Sequence, residues 1–267
     1  MKRISDKKIA LVLGGGSARG IAHIGVLKVL KENNIPVDLI VGTSMGALVG
    51  AAYALDISLE KAEEVAVKSS WWHLADFVIS RLGFLEGKNL ERIIRNAVED
   101  KGFEDLRMPL AIVANDIENG EEVVITSGNL VKVIRASCSV PGIFIPVRID
   151  GRLLVDGGLK SSVPSDVAKR MGADFIIAVD VGFCVRKGKI SNIFQVLFQS
   201  IQIIGNELNK YQAKEADVVI KVRLGDDIDQ MAFDKAAQII DAGEKAAEDA
   251  MPSLLSHMKE EGLIETE

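Results

Sequence analysis

The sequence predicts an α/β fold: a three-layer α/β/α sandwich around a mostly parallel central sheet. Two observations predict it. Within its first 55 residues the chain twice runs strand, glycine-containing turn, helix, and two such units in succession build a parallel sheet with right-handed crossovers. The strands are also apolar at odd and even positions alike, so helices are expected on both faces of the sheet.

The elements follow in order. Residues 8–13 read as the first strand, 14–20 as its glycine-rich turn and 21–33 as a helix. Residues 37–41 form the second strand, 42–46 a tight turn, and 47–55 a helix of small residues. Helical spacing continues over 58–96, with a break around Gly83 and Gly87. Two strands, 109–114 and 122–126, are joined through Asn119-Gly120, and a helix at 130–138 stops before Pro141. Asp150-Gly151 marks a hairpin between 145–149 and 152–155. Then come a helix at 163–171, a strand at 175–181, a helix at 193–211 and a strand at 217–222. A last helix over 234–259 is expected to be interrupted or bent near Pro252. No repeat or Pro/Ser-rich linker divides the chain, so residues 1–267 are read as one domain with a helical tail from about 223.

Composition narrows the function. With 48% hydrophobic residues in 267, a core forms without metals or disulfides. A net charge of −6 disfavours nucleic acid, which needs clustered Lys and Arg, and disfavours strong docking on anionic membranes. Cys138 and Cys184 lie far apart and read as buried thiols of a reducing compartment; His23, His73 and His257 show no ligand spacing, so neither metal nor cofactor is expected. No apolar run reaches about 18 residues, so a cytoplasmic protein is expected, with any membrane contact peripheral.

Gly42-Thr43-Ser44-Met45-Gly46 fits G-x-S-x-G, which raises a hydroxyl on a sharp strand-to-helix turn. Its glycines leave room beside the serine, and the following helix N-terminus favours negative charge there. The alternative is a structural turn with Ser44 as a helix cap. Gly14 to Gly20 supplies successive backbone N–H groups, suited to an oxyanion hole or a phosphate cradle. The dinucleotide reading is the weaker. The spacing is G-x-G-x-x-x-G, and Asp38 opens the second strand instead of ending it. Arg19 either brings charge to the site or braces the loop. A serine hydrolase also needs a base. Neither His73 nor His257 follows a strand, and His23 reads as helix packing. Asp156, before Gly157 and Gly158, is better placed: it is a base if burial raises its pKa, or else a turn-capping acid.

These elements together resemble the patatin-like phospholipase family, notably its bacterial members and the catalytic domain of neuropathy target esterase. Gly15 to Gly20 looks like its G-G-G-x-[RK]-G loop, Gly42 to Gly46 like its G-x-S-x-G, and Asp156-Gly157-Gly158 like its D-G-[GA]. Similar too are His23 to Leu27, Ala136 to Gly142 and Gly172 to Asp174, so that the likeness spans roughly residues 8–222. The resemblance implies a Ser44–Asp156 dyad cleaving lipid esters through an acyl-enzyme. It also implies an oxyanion hole at Gly15, Gly16 and Ser17 with Arg19 nearby, and no metal. Ser17 departs from the family, standing where the third glycine is expected. The readings left beside it are an esterase using His257, a nucleotide-binding protein and a lipid-binding scaffold without turnover.

Two apolar stretches bear on lipid access. Trp71, Trp72, Leu74, Phe77, Val78, Leu82, Phe84 and Leu85 read as a lid, an interfacial surface or ordinary core. The helix carrying Ile193, Phe194, Val196, Leu197, Phe198, Ile201, Ile204 and Leu208 reads first as core, otherwise as an acyl pocket or subunit contact.

Overall fold

In a computed structural model, which describes residues 2–70, 74–182, 190 and 193–265, strands β1 (Ile9–Leu13), β2 (Leu39–Thr43), β3 (Leu110–Asp116), β4 (Glu121–Ile125), β5 (Val147–Ile149), β6 (Arg152–Asp156), β7 (Phe175–Asp180) and β8 (Val218–Lys221) form one sheet. Its order is β8-β7-β1-β2-β3-β6-β5, with β4 paired to β3. The five strands from β8 to β3 are parallel, whereas β4, β5 and β6 pair antiparallel. The mostly parallel α/β/α arrangement is therefore present.

Alternation along the strands fills both faces. Ile9, Leu11, Leu13, Ile40 and Ile112 point into the larger core, under α1 (Ala22–Glu32), α2 (Met45–Ala54) and α8 (Ala236–Glu260). Ala10, Val12, Val41 and Val113 face the thinner layer made by α6 (Ser165–Arg170). The remaining helices are α3 (Leu59–Lys68), α4 (Lys88–Ala97), α5 (Leu130–Ser137) and α7 (Ile193–Gln212). Among the described residues no helix is long and apolar enough to cross a membrane.

One register decides where the site forms. Strand β4 occupies one edge of β3 from Ile112 to Asp116, so β2 and β6 share the other edge. They approach along it head to head: Thr43, the end of β2, pairs with Val113, and Asp156, the end of β6, pairs with Ala114. The residue after Thr43 and the last residue of β6 are thereby brought together.

Three expectations change. The break expected around Gly83 and Gly87 is itself a short strand, Gly83–Leu85, beside Gly142–Phe144, because its backbone groups find partners 59 residues on. The last helix runs through Pro252 without interruption. The helix α7 is not core: Ile193, Val196, Leu197 and Ile204 are exposed, since its inner side meets polar loops. Trp71, Trp72, His73 and Cys184 lie outside the described residues.

Candidate active site

Ser44 stands between β2 and α2 with φ 54° and ψ −122°, a conformation that costs a non-glycine residue about 1–3 kcal/mol and persists only where packing imposes it. Packing does so here. A Cβ on Gly46 would lie 2.1 Å from the carbonyl oxygen of Leu13, and one on Gly42 2.6 Å from Cα of Ala47, so the turn closes only with glycine on either side.

The Ser44 hydroxyl donates to Oδ2 of Asp156 at 2.7 Å, and both side chains are buried. The other oxygen of Asp156 accepts the Gly158 N–H at 2.8 Å. Gly157 presses on β3, where a Cβ would meet the Val113 carbonyl at 2.4 Å. Burial pushes the Asp156 carboxyl up from 3.8 to about 6, against the lowering effect of the Gly158 N–H and the Ser44 hydroxyl. Its backbone is held as well: Asn115 Nδ2 donates to its carbonyl at 2.8 Å, and its N–H donates to the Ser139 carbonyl at 2.9 Å. Ser137, at the end of α5, accepts the Ser44 N–H at 2.8 Å and donates to the Val113 carbonyl at 2.6 Å. The sequence reading passed over Ser137, Ser139 and Asn115 as functional positions; the stretch Ala136 to Gly142 was the signal for the first two.

The glycine-rich loop lies against this pair. A Cβ on Gly15 would stand 3.5 Å from that of Ser44, and Gly20 abuts Met45. The Gly15 N–H is already engaged by the Ser162 carbonyl at 2.8 Å. Among the described residues, the N–H groups of Gly16 and Ser17 have no acceptor. Ser17 has φ 50°, a left-handed conformation that glycine adopts without strain, at the position where the resemblance expects the third glycine. Arg19 is buried and donates to the carbonyls of Val181 (3.1 Å), Gly182 (3.2 Å) and Ile228 (2.6 Å), so it braces the loop. His23 donates through Nε2 to the Gly14 carbonyl at 2.7 Å, and burial lowers it to about 4, leaving it neutral. His257 is exposed and bonded to Ser253 in its own helix. Asp38 lies at the amino end of the sheet, holding Arg3 and the Ile9 N–H, where a ribose-binding acid would not stand.

A cavity of about 100 Å³, lined in part by Ser44, lies between α2, α3 and α4. Leu48, Ala52, Val65, Ile93 and Phe144 give it an apolar wall, and Ser17 and Ser44 line it as well. Cys138 also borders it, as a neutral thiol pushed up to about 12 by burial.

Residues 11–169 match the family model described as patatin-like phospholipase. The chain belongs to the patatin-like phospholipase family. It is 39% identical over 187 residues to patatin-like phospholipase domain-containing protein 6 of Mus musculus, covering 67% of this chain and 14% of the mouse protein. It is 36% identical over 187 residues to lysophospholipase nte1 of Aspergillus fumigatus, covering 68% of this chain and 12% of that one. In fold the chain is similar to the crystal structure of VipD from Legionella pneumophila. That match has a TM-score of 0.54 at 12% identity and covers 94% of this chain and 68% of VipD. The chain thus spans about one seventh of the mouse relative's length, in a patatin-like unit that contains Ser44 and Asp156.

Proposed function

We propose that this chain hydrolyses carboxylic esters of lipids, with Ser44 as nucleophile and Asp156 as its base. The observation that carries the reading is the 2.7 Å hydrogen bond to a buried carboxylate from Oγ of Ser44, a residue that lines an apolar cavity. Above about pH 6 Asp156 is ionised and accepts the Ser44 proton as Oγ attacks the ester carbonyl. The tetrahedral oxyanion takes the N–H groups of Gly16 and Ser17, while Gly15 and Arg19 hold the loop in shape. Asp156 returns the proton to the departing alcohol, leaving an acyl-Ser44 ester with its chain in the cavity. Water then gives a proton to Asp156 and attacks the acyl carbonyl; the proton returns to Ser44 as the fatty acid leaves. Family membership supports the reaction class, and the names of the two relatives, a phospholipase and a lysophospholipase, support glycerol esters of fatty acids as substrates.

Hydrolysis of nitrophenyl esters and phospholipids by wild type, Ser44→Ala, Asp156→Asn and His257→Ala tests the reading. Ser44→Ala is expected to fall below about 10⁻⁴ of wild type, Asp156→Asn to lose about 10²- to 10⁴-fold, and His257→Ala to keep full activity. A fluorophosphonate should label wild type on Ser44 and leave Ser44→Ala unlabelled. Turnover retained by Ser44→Ala would end the proposal.

A further inference from the structure

Helix α7 is amphipathic the wrong way round for a surface helix, whose apolar stripe ordinarily faces the core. Gln202 and Asn209 are buried at 4% and 5% exposure, whereas Ile193, Leu197 and Ile204, on one outward stripe, are exposed, Ile204 to 59%. The inward polar face has its work in the loops beneath it. Asn209 donates to Asp180 at 2.9 Å, and Gln212 accepts the Val163 N–H at 3.1 Å. The outward apolar face stands largely in solvent and touches the described fold at Leu197, beside Gly142.

A second apolar projection stands beside it. The Val78 N–H donates to the Phe84 carbonyl and Phe77 bridges Leu85, making a narrow loop with Phe77, Ile79 and Leu82 exposed at its tip and flank, Ile79 completely. Both projections meet at Gly142–Phe144. That strand pairs with Gly83–Leu85, and a Cβ on Gly142 would stand 3.6 Å from Leu197. Phe144 and Val140, in and beside the same segment, line the same cavity as Ser44.

We propose that the outward stripe of α7 and the 77–85 loop form one surface that docks on an uncharged lipid bilayer around the entrance of the cavity. It rests on the reading of Ser44 and Asp156 as a lipid hydrolase. Three features favour lipid over a second copy of the chain or another protein. The surface borders the cavity into which an acyl chain must pass without crossing water. Ile79 stands clear of the fold as a protruding side chain, which a fluid apolar layer accepts without a matching hollow. The surface is also nearly uncharged. Arg81 is the one charge in 77–85 and Glu207 and Lys210 are those of α7, in a chain of net charge −6, so attraction to anionic lipid is not the driving term.

The test uses the full chain carrying Ser44→Ala, so that binding is read without turnover, sedimented with phosphatidylcholine vesicles. The protein is expected to sediment with the vesicles, nearly independently of salt from about 0.1 to about 1 M. Ile79→Glu, Leu197→Glu or Ile204→Glu should each weaken partition at least about tenfold. With Ser44 intact, the same variants should lose a similar factor on vesicle phospholipid and nothing on a water-soluble short-chain ester. Undiminished partition of the triple variant would overturn the proposal. A lipid-free dimer that Ile204→Glu converts to monomer would overturn it too, giving the surface to a second copy. Vesicle binding by a chain that hydrolyses no ester would leave the docking surface standing and remove the hydrolase reading instead.

Discussion

At Asp156 the fold sets stability against reactivity. A carboxyl raised from 3.8 to about 6 by burial holds its proton more tightly in the folded chain than in the unfolded one. Between about pH 4 and 6 the folded state therefore binds the extra proton, and this group's contribution, fully present below about 4, is lost as pH rises through about 6. The difference is worth about 3 kcal/mol at neutral pH. Two outcomes follow with opposite signs. The proposed reaction needs the ionised form, so kcat/KM on a soluble ester should rise with pH along a limb centred near 6 and then level off. Asp156→Asn should lose activity yet gain stability relative to wild type, the gain growing by up to about 3 kcal/mol from about pH 4 to pH 7 in urea unfolding. An equal difference at both pH values would show a carboxyl titrating as in water. Sequence singled out Ser44 and Asp156 as candidates, because the glycines beside them are visible as letters. It did not carry the spending of the Gly15 N–H on Ser162, which is a contact across 147 positions.

Among the elements, the meeting of β2 and β6 on one edge of β3 is what converts two turns into a pair. Helix α5 then holds both halves: Ser137 takes the Ser44 N–H, and the Ser139 carbonyl takes the Asp156 N–H. Ser137→Ala would leave the Ser44 N–H and the Val113 carbonyl buried without partners, at a cost of about 1–3 kcal/mol. Since Ser137 does not line the cavity, kcat is expected to fall about tenfold with KM on a soluble ester nearly unchanged and the acid limb still near 6. A rise in KM with kcat intact would place its effect on binding. The parallel strands and the helices between them were legible, since local periodicity specifies them. The pairing of Gly83–Leu85 with Gly142–Phe144 was not, because a three-residue strand has no period and takes its identity from a distant partner. For α7 the spacing disclosed an apolar stripe but not which side faces water, as the polar loops beneath it come from 160–163 and Asp180.

Across the whole molecule, the site draws on chain well outside the matched residues 11–169. The carbonyls of Ile228 and Gln230 receive Arg19 and the Ala18 N–H, so the C-terminal segment, which carries no motif, sets the shape of the glycine-rich loop. The cavity is likewise a product of several elements, bounded by α2, α3 and α4 and lined by Ser44. Ser44, Leu48 and Ala52 lie four residues apart along α2, so the wall runs about 12 Å from the hydroxyl before Ala52 is reached. That depth makes Ala52 a gauge of acyl-chain length under the proposed reaction. In Ala52→Leu the larger side chain fills part of a cavity of about 100 Å³, at an overpacking cost of about 1–3 kcal/mol at most. A short acyl group ends before it reaches that point, whereas a long one must displace the new side chain or stop short of Ser44. Turnover of butyryl esters should therefore stay within about twofold of wild type, while kcat/KM for palmitoyl esters falls about 10- to 100-fold, since each excluded methylene forfeits about 0.8 kcal/mol of burial. Equal losses on both would mean that the acyl chain leaves Ser44 by another route and that this cavity serves packing alone.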